Sequence, residues 1–245
     1  MQLHNISIKG LLLSLLIIFF ASCSKNEDTK PPNNTDITDE VLPAGDTLNK
    51  GMEYWKKTTQ NNITYYEPSG LWATLNPLSK LNGPVTVSRT TDKHTGNYAV
   101  KLESKTWGAD TNSQGLLIPG LLTIGSFVNV HPWVIQGKPF NSKPQSLEGY
   151  FKYTSVENDS AIIYAKLSRY NFQLNKQDTI AEAKFIVKNT VTSYQQFNAQ
   201  FVYYIQNINP DTLSMVFVSS GGGQNFQGKA GSTLYIDDIR FVYNK

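Results

Sequence analysis

From about residue 85 onward, apolar and polar positions alternate with a period of two. Within Tyr98–Glu103, Tyr98, Val100 and Leu102 fall on one side, and Lys101 and Glu103 on the other. Phe197, Ala199, Phe201, Tyr203 and Ile205 repeat the pattern, as do Leu213, Met215 and Phe217. The last segment, Ser232–Tyr243, sets Tyr235, Ile239, Phe241 and Tyr243 on a common side. Successive side chains of a strand point to opposite faces, so these are half-buried strands. Further strands are predicted over Val85–Thr90, Leu147–Thr154, Ala161–Arg169 and Ile180–Lys188, and no stretch carries a helical stripe. Asn82-Gly83-Pro84, Thr95-Gly96-Asn97, Gly137-Lys138-Pro139, Asn209-Pro210-Asp211 and Gly221-Gly222-Gly223 supply the turns. Short strands so punctuated predict an all-β chain forming a single β-sandwich, a jelly roll. The pattern leaves one long irregular interval, Thr106 to Ser146, and loops of that length in a compact domain are often functional.

The first 47 residues stand apart. Lys9 precedes an apolar run, Leu11 to Phe20, followed by Ala21-Ser22-Cys23. The run is too short to cross a bilayer as a helix and fits the h-region of a signal peptide. Cys23 is the sole cysteine and sits where a bacterial lipoprotein signal places its acylated residue. Residues 1–22 are therefore expected to be a lipoprotein signal peptide, and several acyl chains on Cys23 would anchor the protein stably. Ser24-Lys25-Asn26-Glu27-Asp28 resembles the short acidic tag of lipoproteins that Bacteroidota export to the outer face of the outer membrane. The expected location is thus the outer membrane, lipid-anchored and exposed at the cell surface. Pro31, Pro32 and Pro43 among Asn, Thr and Asp make residues 23–47 a flexible linker with too little apolar content to fold. Residues 48–245 remain as the folded domain.

Composition narrows the chemistry. With 13 Tyr, 12 Phe and 4 Trp in the chain, all but Phe19 and Phe20 in the domain, a sizeable core can be built. A chain whose one cysteine lies at position 23 has neither a disulfide framework nor a cysteine nucleophile in its domain. Only His94 and His131 fall in the domain, too few for a multi-histidine zinc site. A net charge of +3 with scattered lysines speaks against nucleic acid as a partner. No Gly-x-Ser-x-Gly elbow or His-Glu-x-x-His occurs, and Gly221-Gly222-Gly223 lacks the lysine of a phosphate loop.

Aromatic residues in loop contexts are the candidate ligand contacts, because a flat ring can stack on the C–H face of a sugar while polar neighbours bind its hydroxyls. Trp107, Trp133, Trp72 and Tyr170 qualify, with Phe172 beside them and Arg169 as a hydrogen-bond donor. Asp237 and Asp238 are adjacent within a strand, so one of them turns inward. There an unpaired carboxylate is costly, and a cation, an Arg or Lys, or main-chain donors must offset it.

Three segments carry a resemblance: Asn49–Trp55, Arg89–Ser104 and Gly231–Ile239. In that order they resemble carbohydrate-binding jelly rolls of galactose-binding-like fold. Gly137-Lys138-Pro139-Phe140, Leu147–Tyr153 and the closing Gly-Ser-Thr-Leu-Tyr-Ile-Asp-Asp are, more narrowly, similar to the putative carbohydrate metabolism domain family of Bacteroidota surface lipoproteins. The similarity spans roughly Leu71 to Tyr243. It implies a polysaccharide or oligosaccharide ligand and a place beside other outer-membrane glycan-use proteins. Calcium-bearing members of the wider group ligate a structural Ca²⁺ through residues matching Glu53 and Asp238 or Asp237. The expected function is non-catalytic glycan capture. Two alternatives stand beside it. A glycoside hydrolase-like enzyme on the same scaffold needs two carboxyls converging in one groove. A protein-binding adhesin or structural component would show an exposed apolar patch.

Overall fold

A computed structural model describes residues 42–108, 115–130, 133–225 and 227–243. The predicted leader, Cys23 and most of the linker lie outside these residues. Trp55–Gln60 (β1) and Ile63–Pro68 (β2) form a hairpin. Asn61 and Asn62 close it with φ of 48° and 62°, the left-handed conformation that a tight hairpin turn needs and asparagine tolerates. Along the chain follow β3 (Trp72–Thr74), β4 (Val87–Thr90), β5 (Ala99–Glu103), β6 (Lys105–Trp107) and β7 (Leu116–Ile118). Next come β8 (Leu121–Ile124), β9 (Ser126–Val130), β10 (Trp133–Gln136), β11 (Lys138–Pro139) and β12 (Ser146–Thr154). The last five are β13 (Ala161–Asn171), β14 (Lys176–Val187), β15 (Val191–Tyr203), β16 (Thr212–Val218) and β17 (Thr233–Val242).

Hydrogen bonding orders the main strands β3-β8-β16-β13-β14-β15-β12-β17-β5-β4, with every pair antiparallel. The path folds over at β15. Its first part, up to Gln200, pairs with β12, while Phe201–Tyr203 pair with Ala181–Ala183 of β14. The result is two sheets joined through one strand. Ile163, Ala165 and Leu167 of β13 and Met215 and Phe217 of β16 share a core with Val100, Leu102, Leu147, Phe151, Leu234 and Ile236 of the other sheet. The predicted sandwich and the eight predicted strands are present.

Two expectations about pattern are corrected. Thr106–Ser146 is not an irregular interval: its described part carries β7 to β11. Leu121 to Ile124 are all fully buried, so they lack the alternation that betrays a strand with one wet face. The closing strand also changes phase. Leu234 and Ile236, not Tyr235, face the core, and Ile239 then faces it too. Asp238 and Ile239 together oppose Gly149, between the pairs Tyr150↔Asp237 and Glu148↔Arg240, which is a β-bulge. Asp238 sits at φ 49° to make it.

Candidate functional site

The outer face of the first sheet forms a groove. Alternation on β13 sends Ile163, Ala165 and Leu167 into the core and leaves Ile162, Tyr164 and Lys166 outside. Register sets Tyr164 beside Lys184 of β14 and Val216 of β16, and Lys166 beside Glu182 and Ser214. Two adjoining hollows of about 440 and 330 Å³ lie over these positions, both lined by Ile135 of β10, Lys166 and Ser214. Tyr164, Ile162 and Val216 offer apolar surface to a sugar face, and Lys166, Lys184, Ser214 and Gln224 offer hydrogen bonds. Among the described residues, no Asp or Glu lines either hollow. Glu182 shares this face, but its oxygens accept hydrogen bonds from the hydroxyls of Tyr164 and Tyr204, the latter at 2.9 Å. Burial, with Glu182 as acceptor, raises the Tyr164 hydroxyl well above its usual range. Tyr164 therefore remains a protonated donor.

The three predicted metal ligands do come together, around the turn between β4 and β5. Asp237 is fully buried; Oδ2 accepts the main-chain N–H of His94 (2.8 Å) and Thr95 (3.2 Å), and Oδ1 that of Asp238 (2.8 Å). Desolvation lifts its carboxyl to about 6 against these donors. Asp238 accepts the Thr95 hydroxyl on both oxygens, and His94 Nδ1 lies 2.6 Å from its Oδ2. Glu53 accepts Asn97 N–H on both oxygens at 2.9 Å and Tyr98 N–H at 3.2 Å. Calcium needs oxygen ligands, carbonyls among them. This turn aims N–H groups at its acids instead, so the residues as folded do not fit a structural Ca²⁺. Among the described residues, no group of three or more His, Cys, Asp or Glu is placed to hold a metal ion. Main-chain donors are thus what offsets the inward carboxylate.

The predicted aromatic contacts disperse. Trp72 is only 8% exposed, packs 5.7 Å from Phe217 and donates its indole N–H to Leu48 C=O at 2.6 Å; it is a core residue, not a ligand contact. Trp107 is half-buried at the end of β6, in the same apolar cluster as Ile162, Val216 and Val218 of the groove. Trp133 opens β10 opposite Val130, two residues before the groove-lining Ile135. Arg169 and Tyr170 line a different hollow of about 370 Å³ with Phe172 and Ile208. There Arg169 donates to Asn209 C=O at 3.0 Å, Tyr170 hydrogen-bonds Asn175, and the Phe172 ring stands edge-on to Tyr170. Sequence reasoning missed Tyr164, Lys166 and Lys184, whose outward alternation looks like that of any solvated strand face. Their one signal was that three such positions fall on two long strands adjacent in sequence.

A family profile described as "Putative carbohydrate metabolism domain" matches residues 46–242. No curated protein matches the chain. Among solved structures, the chain is similar to a putative glycoside hydrolase from Bacteroides vulgatus, at 22% identity and a TM-score of 0.67 over 79% of this chain and 97% of that one. It is also similar to a putative glycoside hydrolase from Bacteroides thetaiotaomicron, at 20% identity and a TM-score of 0.62 over 82% and 70%. These two share the fold. A carbohydrate-binding module, TmCBM61, in complex with beta-1,4-galactotriose aligns at 12% identity over 80% of this chain and 97% of that one, but with a TM-score of only 0.40.

Proposed function

The chain belongs to the putative carbohydrate metabolism domain family, and from that premise we propose that it is a surface lipoprotein whose outer-sheet groove captures a glycan chain without cleaving it. The carrying observation is the lining of the groove: apolar rungs and hydrogen-bonding side chains, with no acid among the described residues. The two Bacteroides structures are each described as a putative glycoside hydrolase. Hydrolysis by the usual route needs two carboxyls about 5–10 Å apart across the bond. The acid nearest the groove in register, Glu182, is engaged by two tyrosine hydroxyls, so the lining favours capture over cutting. Acylation at Cys23 would hold the domain at the membrane, and the linker up to residue 47 would let it stand off that surface.

Affinity gel electrophoresis of the purified protein against a polysaccharide panel tests this reading, alongside an assay for released reducing ends. Retardation by at least one polymer, weakened about tenfold or more in Tyr164→Ala as expected for a stacking contact and with no reducing ends released, supports it. Release of reducing ends by the wild type, abolished by Glu182→Gln, would replace capture with hydrolysis.

A further inference from the structure

Lys166 and Lys184 stand on neighbouring strands and both line the groove. Neither has an acidic partner among the described residues, unlike the cations on the outer face of the other sheet. There Arg240 pairs with Glu148 at 2.7 Å, Lys101 with Glu103 at 3.0 Å, and Lys152 with Asp92. The acid that could neutralise Lys166 is Glu182, directly across the β13–β14 register. Its two oxygens are instead taken by Tyr164 and Tyr204. The tyrosines thus hold the Glu182 carboxylate, still charged, out of an ion pair with Lys166, and two ammonium groups line the hollow against this one acid. An ammonium is a compact, strongly hydrated charge with three donors. It gains most when an oxyanion replaces its water.

The geometry points to a polysaccharide bearing oxyanions, carboxylate or sulfate, as the ligand of this groove. Lys166 and Lys184 grip its charged groups, and Tyr164 with Ile162 and Val216 supports the sugar faces. The inference rests on the glycan-capture reading and adds the charge of the chain.

The test is affinity electrophoresis of the purified protein in gels holding polygalacturonate, dextran sulfate or neutral galactan, at low and raised salt. At least one of the two acidic polymers is expected to retard the protein, neutral galactan much less, and raised salt to weaken the retardation. Which acidic polymer is the stronger assigns carboxylate or sulfate. Each of Lys166→Gln and Lys184→Gln is expected to weaken binding about tenfold, the size of a charge-assisted hydrogen bond. Lys101→Gln, on the other sheet, is expected to leave binding unchanged. Melting temperatures of all variants serve as the folding control. Equal retardation by neutral galactan, with the groove variants behaving as wild type, overturns the charge inference and leaves glycan capture standing. Acidic retardation that the groove variants do not weaken overturns it as non-specific attraction. Retardation by no polymer overturns both readings.

Discussion

Asp237 is held by three main-chain N–H groups, those of His94, Thr95 and Asp238, which depend on its carboxylate for their pairing. Truncation to alanine would take this shared, buried acceptor from all three. Asp237→Ala is therefore expected to lose about 2–4 kcal/mol in urea unfolding, and Asp237→Asn, which keeps one acceptor oxygen, less. Glu67 presents a different case. Burial pushes its carboxyl up to about 7, although the Thr74 hydroxyl reaches both oxygens. Between the ordinary value of 4.5 and about 7 the folded state binds the proton more tightly than the unfolded state. Stability from this group is accordingly present at low pH and lost as pH rises through that window. Glu67→Gln should melt higher than wild type at alkaline pH, by the equivalent of about 1–3 kcal/mol, and show no such advantage in acid. At this scale the adjacent acids 237 and 238 were readable as a pair needing relief. What relieves them was not, because it arrives from a turn some 140 positions earlier in the chain.

At the scale of elements, strands with one wet face were legible and strands buried on both faces were not. β5, β13, β15 and β16 alternate as their faces require, whereas β8, Leu-Leu-Thr-Ile, is buried at every position. The bulge in β17 was hidden because Asp238 adopts a left-handed conformation that composition does not demand there. The turn between β4 and β5 has a testable dependence on glycine. Gly96 lies at φ 64°, and a Cβ there would fall 2.0 Å from Glu53 Oε1. Gly96→Ala is expected to cost about 1–3 kcal/mol in urea unfolding, because a side chain is strained at this φ and Glu53 must leave its hydrogen bonds to Asn97 and Tyr98 N–H to make room. Gly45→Ala, also at positive φ but with nothing within 4 Å, should cost less.

Over the whole molecule, the sandwich was legible, while the groove needed register between strands to bring Tyr164, Lys184 and Val216 onto one rung. The carboxylates near the β4–β5 turn are already met by N–H and O–H donors. A chelator is therefore expected to leave the melting temperature unchanged in differential scanning fluorimetry, and added Ca²⁺ not to raise it. Because β15 belongs to both sheets, neither layer has a private seam along which it could peel away. Loosening the strand at Gln200–Phe201 would strip hydrogen bonds from β12 and β14 at once. Denaturation should accordingly appear as one event, with tryptophan emission and far-ultraviolet dichroism collapsing at the same urea concentration. A sandwich stitched in this way would expose no half-unravelled form for a protease to seize.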